Sequence, residues 1–307
     1  MNKSFTLIEI LVVIVIVGIL SAFIIVSMAG VSSKATIAKG QALANSIKNA
    51  LMADLISEWR LDGNADDFWG TNTGTLIGPT HLPVAKSGSD CISGGCYEFD
   101  GTEDYINCGT GSSLDVANAV TVETWIKTIA FGTNQYRGMV GRKTGAQVDG
   151  CGYQYGLSST WTNGNYLQFW AHKEGFSDCN SSAVVSSSNP ISLDKWYYVV
   201  GTYDYTTGKQ NIYLNGVLNN SSDKGAGLKI RSFSNQVLTI GRSPGGGPWY
   251  FNGLIDNVRV YNQAIPSSRI KEQYYSGLNN LLVRGGFDAA EYGQKLGELK
   301  TNLSNNE

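Results

Sequence analysis

The sequence predicts an α+β chain in which a long N-terminal helix, membrane-spanning in its first half, precedes an antiparallel β-sandwich. Three observations carry that prediction. Ile10 to Ala29 is an uncharged, predominantly apolar run, long enough to cross a bilayer core of about 30 Å. Beyond it Ile37, Ala44, Ile47, Leu51 and Leu55 recur at spacings of three, four and seven, the stripe of an amphipathic helix. From Trp59 onward short β-rich runs alternate with clusters of Gly, Asn, Asp and Ser, the rhythm of a sandwich or barrel.

The apolar run differs from a secretory signal peptide, which has a shorter core and a small-residue cleavage site. It also carries Glu9 at its edge. A carboxylate costs roughly 2.5 kcal/mol or more toward the bilayer centre and less at the interface. Glu9 therefore either snorkels into the headgroups or has a partner. A helix from Phe5 to about Ser57 would be about 80 Å long at 1.5 Å per residue.

The segment Lys3-Ser4-Phe5-Thr6-Leu7-Ile8-Glu9, followed by the apolar run, resembles the N-terminal signature of type IV pilins and pseudopilins. The resemblance implies a leader at 1–4, cut by a prepilin peptidase between Ser4 and Phe5, and methylation of Phe5. It assigns Glu9 to filament assembly, paired with the terminal amine of a neighbouring pilin subunit. The chain departs from the family in having Ser4 where Gly normally precedes the cut, and in lacking a mid-stem Pro. The stem helix is then expected over 5–57, with its transmembrane segment at 10–29.

In the second half, VTVETWIKT places Val120, Val122, Thr124 and Ile126 on one face and Glu123, Trp125 and Lys127 on the other. Further strands are read at Tyr166–His172, Trp196–Tyr205, Val237–Arg242 and Leu254–Tyr261. Asn215-Gly216 between apolar runs is a hairpin signal, because both residues tolerate positive φ. The phrases YEFDGTEDYINCG, VTVETWIKT, WYYVVGTYD, IYLNGVL, LTIGRS and FNGLIDNVRVYNQAI together resemble the laminin G-like jellyroll of the concanavalin A-like lectin and glucanase superfamily. That domain is expected over 58–276, with a tail at 277–307 holding a short amphipathic helix through Leu296, Leu299 and Leu303. The helix could dock on the head, on the stem or on another subunit.

A fold of this kind hosts binders, spacers and some enzymes, so each chemistry needs its own residues. Glu98, Asp100 and Glu103 spell ExDxxE, superficially the carboxylate pair of a retaining glucanase, which needs its two carboxyls about 5 Å apart. Asp100-Gly101 reads instead as a turn between two strands, so no catalytic residue is assigned and the chain is read as a non-enzyme. Only His81 and His172 are available, which excludes an HExxH zinc site and leaves little for imidazole catalysis. A net charge of −2 gives no footprint for nucleic acid.

The laminin G-like resemblance implies a structural calcium, whose ligands would be Asp67 and Asp256; the alternative is that Asp256 accepts backbone hydrogen bonds and Asp67 caps a turn. No other cofactor is expected. Sugar binding needs exposed aromatic platforms, and Trp161, Trp249 and Tyr250 lie in turn-rich segments suited to that role. Of five cysteines, Cys91 and Cys96 flank a tight loop and Cys151 and Cys179 bracket a longer one, so each couple is paired as a disulfide, with Cys108 left as a buried apolar residue.

Joined, these readings give a type IV pilin-like filament subunit, major or minor. It would pass from the cytoplasmic membrane to the cell surface and present a lectin-like head to carbohydrate or surface protein. The alternatives are a secretion-system pseudopilin and a membrane-anchored glycan-active protein.

Overall fold

A computed structural model describes residues 53–131, 136–144, 153–160, 165–175, 183–232, 235–243 and 249–304. The expected leader, the stem helix up to residue 52 and its membrane segment, with Ser4, Phe5 and Glu9, lie outside the described residues, as do Trp161, Cys151 and Cys179. Among the described residues no helix is long and apolar enough to cross a membrane.

The strands in chain order are β1 (Leu55–Trp59), β2 (Thr75–Ile77), β3 (Val84–Ser87), β4 (Gly95–Asp100), β5 (Tyr105–Asn107), β6 (Ala119–Thr128), β7 (Gly138–Thr144) and β8 (Tyr153–Ser159). They continue as β9 (Leu167–Ala171), β10 (Val184–Ser186), β11 (Trp196–Asp204), β12 (Lys209–Leu214), β13 (Val217–Asp223), β14 (Gln236–Ile240) and β15 (Asn252–Tyr261). Two helices follow, α1 (Ser267–Val283) and α2 (Ala289–Ser304). One sheet runs β13-β12-β11-β6-β15-β4-β3 with β1 also on β15, and the other runs β10-β9-β8-β7-β14-β5-β2. Neighbouring β6, β11 and β15 pair antiparallel over most of their length, and the two sheets enclose a core that includes Trp59, Phe99, Phe169, Val199, Leu238 and Ile255.

The head begins earlier than expected. Leu55 to Trp59 is a strand, with Leu55 opposite Tyr261 and Trp59 opposite Val258, so the last residues assigned to the stem helix belong to the sandwich. Leu55 satisfies both periods: it lies four residues after Leu51, and it alternates with Ser57 and Trp59. Strand pairing decides between them, because β15 offers an edge to which β1 can bond.

The alternation in β6 is correct, but neither face meets water. Val120, Val122 and Ile126 enter the core, while Glu123 and Trp125 on the other face are also buried. Helix α1 covers them: Tyr274 stacks on Trp125 at 5.6 Å between centroids, and Gly277 permits the close approach, since a Cβ there would lie 2.2 Å from Trp125 Cζ2. The helix packed on the sandwich therefore runs through the expected boundary at 276. Ile270, Tyr274, Leu278 and Leu281 form a buried stripe, and the helix closes at Gly285 and Gly286, whose N–H groups donate to the carbonyls of Leu282 and Leu281. That pattern is a Schellman cap. Helix α2 covers the segment expected to be amphipathic, and its Tyr292 hydroxyl donates to Asn279 of α1.

The hairpin at Asn215-Gly216 is present, with φ of 51° and 79°. Cys91 and Cys96 form a disulfide, and Cys108 is a buried free thiol.

Candidate functional site

Alternation in the seven-stranded sheet sorts its side chains between core and outer face. Leu167, Phe169 and Ala171 of β9 point inward, as do Tyr155 and Leu157 of β8, Leu238 and Ile240 of β14 and Ile106 of β5. A period of two leaves Trp170, Ser158 and Tyr105 on the opposite face. Trp170 is held there by its indole N–H, which donates to Ser158 Oγ at 2.9 Å.

An aromatic group assembles on this face from distant segments. Tyr136 packs edge-on against both Trp170, at 5.8 Å, and Trp249, at 5.5 Å. Lys143 Nζ lies 5.1 Å from the Trp249 ring centre, and burial pushes its pKa down to about 8. The Trp249 carbonyl accepts N–H groups from Gly138 and Ser243, which fixes the expected platform to β7 and to the end of β14. Next to it, Tyr250 and Tyr105 lie 6.4 Å apart with the Arg242 guanidinium 5.0 and 4.8 Å from their rings. Arg137 Nη1 donates to the carbonyls of Gly101 and Tyr250, both at 2.9 Å. These contacts tie the 249–250 segment to the corner between β4 and β5.

Of the expected aromatic contacts, Trp249 and Tyr250 are therefore neighbours in one half-buried group. Sequence reading missed Tyr105, Tyr136, Arg137, Lys143, Trp170 and Arg242. A signal existed for Tyr105 and Trp170, which alternate with the apolar Ile106 and Phe169 in their strands.

The acids of ExDxxE build that same corner. β4 and β5 belong to different sheets, so Asp100-Gly101 is a turn that changes sheet, with Gly101 at φ 80°. Glu98 pairs with Lys86 at 2.6 Å, whereas Glu103 accepts the N–H groups of Thr80 and His81. Those donors hold the Glu103 carboxyl below its ordinary range. The two glutamates serve separate partners. Asp104, almost wholly buried, accepts the Asp100 N–H; burial and its hydrogen bond with Asp100 push its pKa up to about 7.

Asp67 and Asp256 serve different segments. Asp67 Oδ1 accepts the N–H groups of Glu58, Trp69 and Gly70, and Oδ2 accepts that of Asn72. Asp256 Oδ2 accepts from Ile92 and Ser93, and Oδ1 from the Asn257 amide. This is the turn-capping and backbone-accepting arrangement weighed against calcium. An ion at either acid would have to share oxygens that already receive N–H donors, and no group of three or more His, Cys, Asp or Glu suited to a metal occurs among the described residues.

A second concavity, of about 260 Å³, lies between α1 and the eight-stranded sheet and is lined by Arg60, Asp62, Ser93, Gln273 and Asn280 among others. Its base is a buried ion chain in which Arg259 bonds Glu58 at 2.7 Å and Glu123 at 2.8 Å. The hydroxyls of Tyr198 and Tyr261 also donate to Glu123. These charges compensate one another, and they join β1, β6, β11 and β15 under the helix.

A family model described as the concanavalin A-like lectin/glucanases superfamily matches residues 100–271, and one for the prokaryotic N-terminal methylation motif matches residues 1–25. No curated protein sequence matches the chain. Among solved structures, domain 4 of AbnA, an extracellular arabinanase from Geobacillus stearothermophilus solved with arabinotriose, is 19% identical with a TM-score of 0.53, covering 71% of this chain and 97% of that one. The binding domain of Paraclostridial Mosquitocidal Protein 1 is 15% identical with a TM-score of 0.54, covering 75% of this chain and 53% of that one. A Trypanosoma rangeli sialidase in complex with 2,3-difluorosialic acid is 16% identical with a TM-score of 0.50, covering 73% of this chain and 33% of that one. At these identities the likeness is one of fold.

Proposed function

Since the chain belongs to the concanavalin A-like lectin/glucanases superfamily and carries a prokaryotic N-terminal methylation motif, we propose that it is a surface-displayed binding protein, a pilin-like subunit whose jellyroll head holds carbohydrate. The observation that carries the binding half is the group of Tyr105, Tyr136, Trp170, Trp249 and Tyr250 on the outer face of the seven-stranded sheet. Aromatic rings with polar neighbours suit the apolar faces and hydroxyl edges of sugars. The display half is supported by the match over residues 1–25, with cleavage after Ser4, methylation of Phe5 and Glu9 as the assembly carboxylate.

Titration of the full chain in detergent with arabinotriose and other oligosaccharides tests the first half. Trp249→Ala and Tyr250→Ala should each weaken binding by about tenfold or more, and unchanged affinity in both would remove the face from consideration. Mass spectrometry of the mature N-terminus tests the second: a methylated Phe5 is expected, and retention of Met1 would mark a plain anchor. Electron microscopy of surface filaments separates a pilus subunit from a pseudopilin.

Catalysis is not part of the proposal. The carboxylates of Glu98 and Glu103 hold Lys86 and the 80–81 turn respectively, and Glu98→Gln with Glu103→Gln should leave saccharide binding intact.

A further inference from the structure

Arg242 is positioned before any ligand arrives. Gly241, at φ 82°, precedes it, and a Cβ there would lie 2.3 Å from the Phe99 ring, so the chain can turn at this point only through glycine. The Arg242 carbonyl then accepts the Thr239 hydroxyl at 2.7 Å, and its backbone bridges that of Tyr250. With the backbone fixed on both sides, the side chain lies over two adjoining rings, its guanidinium carbon 4.8 Å from the centre of Tyr105 and 5.0 Å from that of Tyr250.

Stacking occupies the flat faces of a guanidinium and leaves its N–H edge for hydrogen bonds. Among the described residues no carboxylate pairs with Arg242; its Nε is buried without a hydrogen bond, so the Nη end is the part of that edge a ligand can meet. The nearby acids are engaged within their own corner, where Asp100 accepts the N–H groups of Thr102 and Glu103, and Asp104 accepts that of Asp100. A second cation belongs to the same corner, Arg137 on the Tyr250 carbonyl. A half-buried arginine over two tyrosine rings, with no carboxylate partner among the described residues and a second arginine on the Tyr250 carbonyl, is complementary to a planar or tetrahedral oxyanion.

We propose that this face recognises an acidic saccharide, the anionic oxygens of the sugar taking the N–H edge of Arg242 while a sugar ring packs on the adjoining aromatic side chains. The proposal rests on the carbohydrate-binding reading and narrows its ligand class to carboxylated or sulfated glycans.

The test compares three probes of equal length on the full chain in detergent: trigalacturonate, a sulfated trisaccharide and a neutral trisaccharide such as arabinotriose. An acidic probe should bind about tenfold or more tightly than the neutral one, with affinity falling as salt rises. Preference for trigalacturonate identifies a carboxylate ligand, and preference for the sulfated probe a sulfate ligand; either outcome supports the proposal. Arg242→Gln should remove the preference, and Arg242→Lys should restore only part of it, since an ammonium lacks the fork. Equal binding of acidic and neutral probes, or a preference that survives Arg242→Gln, overturns the acidic assignment and leaves the carbohydrate face standing. Failure to bind any saccharide overturns the carbohydrate reading and this one with it. If the glutamine variant does not fold, the three-probe comparison on the wild type alone decides.

Discussion

Asp256 accepts the backbone N–H of Ile92 at 2.7 Å, a hydrogen bond that joins the bulge of β15 to the Cys91–Cys96 loop across 164 residues of chain. At this bulge the edge of β15 passes from β4, paired through Ile255, to β1, paired from Val258 onward. The loop fills the gap, with Ser93 giving Asp256 a second N–H and receiving the Asn257 amide.

Asp256→Ala should therefore cost about 2–3 kcal/mol, since it strands two N–H donors, one of them on a buried residue. Asp256→Asn should cost less, because its carbonyl oxygen can still accept. Urea unfolding of the two variants measures both, and equal losses would show that the acceptor role is unimportant.

The calcium expectation makes an opposite claim about the same residue. If Asp67 and Asp256 act as hydrogen-bond acceptors for N–H groups, the melting temperature should be the same in excess calcium and in excess chelator. A shift of several degrees would establish the ion instead.

Asp104 introduces a pH dependence at the corner between β4 and β5. Its pKa rises from an ordinary 3.8 to about 7 in the folded protein, mainly through burial and secondarily through its hydrogen bond to Asp100. A raised folded-state value means that the native protein holds the proton more tightly than the unfolded chain does. The associated stability is fully present below about pH 4, declines as pH rises toward 7, and is absent above it. Asp104→Asn should flatten that part of the stability profile between pH 4 and 8, measured by thermal melts across the range. A profile as steep as wild type would assign the slope to another group.

Gly277 is the point at which α1 meets the sheet, and a Cβ there would fall 2.2 Å from Trp125 Cζ2. Gly277→Ala should displace helix or ring at a cost of about 1–3 kcal/mol, despite the higher helix propensity of alanine. A red-shifted tryptophan emission should accompany the loss. A stabilised Gly277→Ala variant would show that the helix lies farther from Trp125.

Much of the head was legible locally. The alternation of Val120, Val122 and Ile126, the hairpin at Asn215-Gly216 and the closeness of Cys91 to Cys96 each follow from residues a few positions apart, and the structure has all three. Helix α1 was missed, although Ile270, Tyr274, Leu278 and Leu281 are spaced to line one face. The segment Ser276-Gly277 reads as a break, because glycine disfavours helix unless packing requires it. Leu55 was misassigned because one residue can satisfy a helical and a strand period together.

The sequence by itself determined the methylation motif over 1–25, the superfamily of the head and the aromatic pair Trp249-Tyr250. Only the tertiary structure decided where those aromatics sit, because it brought Tyr105 from β5, Tyr136 from before β7, Trp170 from β9 and Arg242 from the end of β14 onto one face. Periodicity reports which face a side chain takes within its own strand. Which strands lie side by side is set by hydrogen-bond pairing between segments far apart in the chain, and a face shared by several strands is a property of that pairing.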